Sequence, residues 1–360
     1  MKITVIGAGN IGTQFAAAFA AKGNEVTVFA SKPDIISNTL TIVDENDKVT
    51  AQGEMALVTA DIEKACKDAE YIFVTYPAFM LKDIADKMYD HVSLGTKIGV
   101  IPGTGGAEFA FKKLIDEKGV VLFGLQRVPA VARLKEYGKT VCVSGYRDRL
   151  KLAGIPKSSL RGIADLLTET FSIPCDILPN YLSVTMTPSN PILHTTRLRT
   201  EFADFKEGVV YPKNILFYEE WADESSKLLF ACDEELQTVC SRLTELDLSD
   251  VRSLKEHYES DTVEKLTAKI RSIKSLQGLG SPMREVEGGF VPDFSSRYFT
   301  ADFPFGLSIL EQFAHIAGVE VPNMTSTIEW YKEVSGDTTE FRLSDFGIET
   351  LDDLYKFYCR

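Results

Sequence analysis

The chain has 360 residues and a mass of 39.9 kDa, with 44% hydrophobic and 25% charged side chains, so it can bury more than one core and is not a disordered polymer. The 52 acidic against 39 basic residues leave a formal charge of −13, which supplies no field for gathering a polyanion and excludes nucleic acid as a main partner. No apolar run reaches the roughly 18 residues that a membrane span needs, and strand-forming residues begin at Lys2, which leaves no room for a secretory leader and sets the expectation of a cytoplasmic protein away from membranes.

In chain order, residues 2–6 form an apolar strand run, 13–22 an alanine- and phenylalanine-rich helix, and 25–30 a second strand, which together make a βαβ unit. Residues 39–59 alternate strand-like pieces around the polar turn Asp44-Glu45-Asn46-Asp47, as an inserted hairpin would. Asp61 caps a short helix, and strand 71–75, helix 81–88, strand 97–101, helix 107–117 and strand 120–124 follow. Strands separated by helices predict an α/β N-terminal domain with a Rossmann-type, doubly wound, mostly parallel sheet over residues 1–179. From 180 to 360 strand signals fade and helical patterns dominate at 214–242, 262–274 and 307–317, predicting an all-α C-terminal domain. Residues 277–296, rich in Gly, Ser and Pro, are long for a connection inside a domain and suggest function. The 6 cysteines include no C-x-x-C pair, so neither a disulfide framework nor a metal centre is expected.

The sharpest motif is Gly7-Ala8-Gly9-Asn10-Ile11-Gly12, a G-x-G-x-x-G run directly between a strand and a helix. The first glycine allows the tight turn, the second lets backbone approach a pyrophosphate, and the third packs helix on sheet, so Gly7, Gly9, Asn10, Ile11 and Gly12 are expected to hold a dinucleotide. The end of the second strand reads Phe29-Ala30-Ser31-Lys32. A carboxylate there would select NAD by accepting from the ribose 2′-hydroxyl; the hydroxyl of Ser31 and the ammonium of Lys32 suit a 2′-phosphate instead, so NADP is the expected cofactor, with NAD the alternative that Asp34 would serve. The loops Tyr76-Pro77-Ala78 and Pro102-Gly103-Thr104-Gly105-Gly106 lie beyond strand ends, where this fold binds ligand, and place Tyr76, Pro77 and Gly103 at the cofactor. Among 4 histidines, His91, His257 and His315 read as structural, whereas His194 follows Pro188-Ser189-Asn190-Pro191-Ile192-Leu193 at a helix start.

Asn190-Pro191-Ile192-Leu193-His194, the later Arg297-Tyr298-Phe299-Thr300-Ala301-Asp302 with Gly306-Leu307 behind it, and the opening glycine motif together resemble the opine dehydrogenases, the group that includes octopine and nopaline dehydrogenases. Further echoes are the 102–106 loop, Phe217-Tyr218, Asp233-Glu234 and Leu343-Ser344-Asp345-Phe346-Gly347-Ile348. The resemblance implies a Rossmann domain followed by an all-α domain like the C-terminal part of 6-phosphogluconate dehydrogenase. It also implies reductive condensation of an amino acid with a 2-oxo acid through an imine, with NAD(P)H as hydride donor. The family's histidine–aspartate dyad falls on His194 and Asp302, where an imidazole titrating near neutrality would exchange protons and a carboxylate would fix its tautomer. Arg297 resembles a substrate-contacting arginine, and Thr104, Asn190 and Arg133 complete the expected substrate set. Arg133 follows Val128-Pro129-Ala130-Val131-Ala132 where the family has an aromatic residue, so the particular opine does not carry over. Residues alone leave open another dehydrogenase of similar architecture, acting on a 2-hydroxy acid or a polyol phosphate, or a non-catalytic dinucleotide sensor. The apolar content of the second half allows a homodimer.

Overall fold

Four consecutive buried residues in β1 (Lys2–Ile6) and four in β6 (Tyr71–Val74) mark strands covered on both faces, the pattern of a parallel sheet under crossover helices. The computed structural model describes residues 1–360 and separates into two units, Met1–Thr185 with Tyr358–Arg360, and Met186–Phe357.

The strands of the first unit continue as β2 (Glu25–Phe29), β3 (Thr39–Val43), β4 (Val49–Glu54), β5 (Leu57–Thr59), β7 (Lys97–Val100), β8 (Val121–Leu125), β9 (Val131–Glu136), β10 (Thr140–Ser144), β11 (Leu150–Ile155) and β12 (Cys175–Ile177). Eight of them form one sheet in the order β12-β11-β8-β7-β6-β1-β2-β5, parallel except where β11 runs against β8. The order reverses beside β1, which places the glycine turn after β1 at the crevice where open α/β sheets take ligands. The helix Asn10–Ala21 packs Phe15 and Phe19 against Phe73 and Phe171, with ring centroids 4.7 to 6.2 Å apart.

Residues 39–59 do contain a hairpin, β3–β4, but β5 returns to the main sheet beside β2. The hairpin is half of a second sheet, β4-β3-β10-β9, in which β3 pairs in parallel with β10 of a later hairpin. The expected helix 107–117 is two pieces, Ala107–Ala110 and Lys112–Lys118, broken at buried Phe111.

The second unit is helical, and its one sheet is a two-stranded ribbon, β13 (Met283–Val286) with β14 (Gly289–Pro292), inside the 277–296 stretch. Its central helix is Asp223–Arg242, against which Asn190–Glu201, Val263–Arg271, Ser308–Ala317 and Pro322–Ser335 all pack. That helix begins nine residues later than the 214–242 pattern predicts. The reason is Arg197, buried in Asn190–Glu201: its Nε donates to the Phe217 carbonyl at 3.1 Å and its Nη2 to the Glu220 carbonyl at 3.0 Å, acceptors that a helix would have used for its own ladder.

Candidate active site

In the first unit the three glycines of the turn do different work. Gly7 has φ of +110°, which a side chain resists, and a Cβ on Gly12 would stand 1.9 Å from the Gly7 carbonyl oxygen, so helix and strand could not meet with anything larger. A Cβ on Gly9 would meet nothing within 4 Å. Only at Gly9, therefore, does the missing side chain leave open space, on the face where a pyrophosphate would approach the free amides of the helix Asn10–Ala21. Ile11 is half-buried in the first turn of that helix. The Asn10 side chain is committed elsewhere: its Oδ1 accepts from the Leu134 amide at 2.8 Å, tying β9 to the turn and leaving its main-chain amide to face a ligand. The Tyr76 ring lies 3.2 Å from where a Gly7 Cβ would be, and burial pushes its phenol above the ordinary range; Pro77 is half-buried next to it. Ser31 and Lys32 are exposed just beyond β2, as is Asp34. These residues fit a bound dinucleotide.

The 102–106 loop is pinned at Gly103, whose amide donates to the Leu125 carbonyl and whose carbonyl accepts from the Tyr181 phenol, both at 2.9 Å. A Cβ at Gly103 would stand 2.7 Å from the Gly124 Cα and 2.9 Å from the Tyr181 oxygen. The protein itself occupies the room that this glycine leaves. Gly105 and Gly106 follow at φ of +82° and +71°, and the amides of Thr104, Gly105 and Gly106 donate to no protein acceptor. Successive free amides in such a turn form a concave donor set suited to an anion. Arg133 is exposed on β9, and its Nη1 donates only to the Ala132 carbonyl next to it, at 3.1 Å.

In the second unit, Asn190 is exposed at the first position of the helix Asn190–Glu201, and Pro191, which lacks an amide hydrogen, sits in the first turn where none is needed. The buried polar face of this helix is tolerable because Thr195 and Thr196 return their hydroxyls to the carbonyls of Pro191 and Ile192, at 2.5 and 2.7 Å. His194 is 7% exposed. Its Nδ1 lies 2.8 Å from Asp302 Oδ2 across 108 positions of chain, and its Nε2 lies 3.0 Å from the Tyr218 hydroxyl.

Asp302 reaches the histidine because the wide turn Phe303–Leu307 follows it with Gly306 against Pro191: a Cβ on Gly306 would stand 3.1 Å from the proline ring. The Tyr298 ring lies over the imidazole at 4.4 Å and 32°, and Phe217 meets it edge-on at 5.6 Å, which together fix the ring plane. Burial, then the neighbouring Tyr298, holds the Tyr218 phenol far above its ordinary value, so it keeps its proton. The Asp302 carboxylate can only accept, which places the imidazole hydrogen on Nδ1 and leaves Nε2 to accept from the Tyr218 hydroxyl. Arg297 is exposed at the start of the helix Arg297–Thr300, five positions before Asp302. The residue that sequence reasoning undervalues is Tyr218, visible there only as half of the Phe217-Tyr218 echo.

Two family models match the chain: the NAD/NADP octopine/nopaline dehydrogenase alpha-helical domain over residues 177–335, which contains His194, Tyr218 and Asp302, and the NAD-dependent glycerol-3-phosphate dehydrogenase N-terminus over residues 2–117. Octopine dehydrogenase of Pecten maximus is 28% identical over 364 residues, spanning 93% of this chain and 90% of that one. The chain belongs to the opine dehydrogenase family. Tauropine dehydrogenase of Arabella iricolor, 27% identical over 81% of this chain and 77% of its own, is another relative of this opine dehydrogenase family chain. The solved structure of octopine dehydrogenase with NADH and L-arginine superposes with a TM-score of 0.86 at 25% identity, covering 98% of this chain and 97% of that one. A yersinopine dehydrogenase structure with NADP+ bound shares the opine dehydrogenase fold at a TM-score of 0.67 and 11% identity, over 99% of this chain and 97% of that one. No helix is long and apolar enough to cross a membrane.

Proposed function

We propose that this chain is an NAD(P)-dependent oxidoreductase acting on CH–NH groups, which condenses an amino acid with a 2-oxo acid and reduces the resulting imine to an opine. The observation that carries the reading is the chain of contacts Asp302–His194–Tyr218, at 2.8 and 3.0 Å, within the domain that the family model matches. A bound nicotinamide supplies the hydride. What this chain supplies is proton management and grip. Addition of the amine to the oxo carbon and loss of water each need a proton moved near neutral pH, which an imidazole does with little driving-force penalty. Asp302 keeps Nδ1 protonated and steadies the imidazolium as Nε2 takes up a proton. Tyr218 shares Nε2 and serves as a donor beside it.

The exposed guanidinium of Arg297 offers a planar fork for one substrate carboxylate, with Asn190 as a further polar contact. The amides of Thr104, Gly105 and Gly106 suit the carboxylate of the 2-oxo acid, and Arg133 is an additional cation for the same substrate class. Gly7, Gly9, Asn10, Ile11, Gly12, Tyr76 and Pro77 hold the dinucleotide, whereas Gly103, expected there from the sequence, has both backbone groups bonded to the protein and serves to pin the loop. Ser31 and Lys32 select NADP, since no carboxylate stands immediately beyond Phe29 and Ala30 at the end of β2.

The test is consumption of NADPH and NADH across a grid of amino acids crossed with pyruvate, 2-oxoglutarate and glyoxylate, for the parent and His194→Ala. Turnover that needs both an amine and an oxo acid, and that collapses in the variant, is expected. Oxidation of a 2-hydroxy acid with no amine present, or turnover indifferent to His194, overturns the reading.

A further inference from the structure

Glu108 is wholly buried in the short helix that follows the 102–106 loop, and the chemistry proposed above does not use it. Its Oε1 accepts from the Thr185 hydroxyl and, at 2.7 Å, from the phenol of Tyr358, which lies 250 positions further along the chain. Its Oε2 has no partner. Keeping a carboxyl in such a place costs several kcal/mol in general, so its retention calls for a structural or functional return.

The contacts form a closed ring around the loop. The Thr185 amide donates to the Tyr181 carbonyl at 3.3 Å, the Tyr181 phenol donates to the Gly103 carbonyl at 2.9 Å, and Gly103 leads through Thr104, Gly105 and Gly106 back to Glu108. Both ends of the loop are thereby tied to one turn, residues 181–185, while the three amides between the ties are left without protein acceptors. The groups that face the carboxyl are hydroxyls, those of Thr185, Tyr358 and the nearby Tyr181, rather than cations. Burial accordingly pushes Glu108 up to about 7 and both phenols well above their usual values.

We propose that Glu108, braced by Tyr358, is a positioning residue that fixes the amides of Thr104, Gly105 and Gly106 for the carboxylate of the 2-oxo acid. The proposal rests on the reading that those amides meet that substrate. A tie at Glu108 orients donors without touching the ligand, so its loss acts on KM for the oxo acid and leaves the proton chemistry of His194 in place.

Glu108→Ala removes the acceptor, Glu108→Gln keeps its shape and one oxygen, and Tyr358→Phe removes one brace. Steady-state kinetics should show KM for the 2-oxo acid raised about tenfold or more in Glu108→Ala, with the cofactor dissociation constant and the KM for the amino acid within about twofold. Glu108→Gln should return KM to within about threefold of the parent. Amide hydrogen exchange should be faster at Gly103, Phe109 and Ala110, the hydrogen-bonded amides at the two ends of the loop, in Glu108→Ala and Tyr358→Phe than in the parent. An unchanged oxo-acid KM, a Gln variant as impaired as Ala, or parallel loss of all three affinities overturns the proposal. If Glu108→Ala does not fold, Tyr358→Phe decides: an oxo-acid KM within about twofold of the parent and unaltered exchange in the loop refute the brace. The exchange measurement needs no turnover, so an inactive parent with a loosened loop in the variants would sink the functional reading and leave the brace standing.

Discussion

His194 is held from both sides of its ring, and the two contacts are unequal in what they control. Asp302 sets which nitrogen carries the proton; Tyr218 adds a donor at the nitrogen left over. Asp302→Asn keeps the shape but turns an acceptor into a donor toward Nδ1, so kcat should fall about 10³-fold or more, against roughly tenfold for Tyr218→Phe, while cofactor affinity measured by fluorescence quenching stays within about twofold in both. Equal losses in the two variants would show that tautomer control is not what the aspartate does. At the other ligand, Lys32→Ala should raise KM for NADPH about tenfold and leave KM for NADH within about twofold; a uniform change would remove the 2′-phosphate from the account. His194 and Asp302 are legible in the sequence because each sits in its own short motif. Tyr218 is not, since its meaning comes from a neighbour 24 positions away, and Glu108 still less, with partners at 77 and 250 positions.

At the level of elements, the glycine turn separates two demands that a sequence motif merges. Gly12 is small because the helix Asn10–Ala21 presses on the Gly7 carbonyl; Gly9 is small toward open space. Gly12→Ala should therefore destabilise the fold by about 1–3 kcal/mol or more in denaturant melts. Gly9→Ala should leave the midpoint almost unmoved yet weaken cofactor binding about tenfold. If Gly9→Ala proved the more destabilising of the two, the assignment of its open face to the pyrophosphate would fall. The strand–helix alternation of the main sheet was readable from period and punctuation because apolar residues dominate β1, β6 and β8 and alternate in β2. The helical pattern at 214–222 misled because periodicity records which residues are apolar and not that Arg197 claims the carbonyls of Phe217 and Glu220. The side sheet escaped notice for a related reason: its strands are short and half exposed, and its central pairing, β3 with β10, joins segments about a hundred residues apart.

Over the whole molecule, three buried acids are shifted upward chiefly by burial: Glu108 and Glu201 to about 7, and Asp233 to about 6. For Glu108 and Asp233 the folded state holds a proton that the unfolded chain releases nearer pH 4, so their contribution is complete below about pH 4 and is lost as pH rises through 6 to 7. For Glu108 the loss amounts to roughly 3 kcal/mol. Thermal melts should show Glu108→Gln gaining on the parent between pH 5 and pH 8; a constant difference across that range would mean the carboxyl does not change charge there.

The side sheet carries a different lesson. Two insertions, one after β2 and one after β8, complete a single ladder, and its outer strand β9 is fastened by Leu134 to Asn10 at the mouth of the nucleotide turn. Neither insertion is separable from the other: excising the first would bare the edge of β10 to solvent and to self-association, and excising the second would strip Asn10 of its anchor. Lineages that trim this sheet should shed both hairpins together, with position 10 released to vary in the same step.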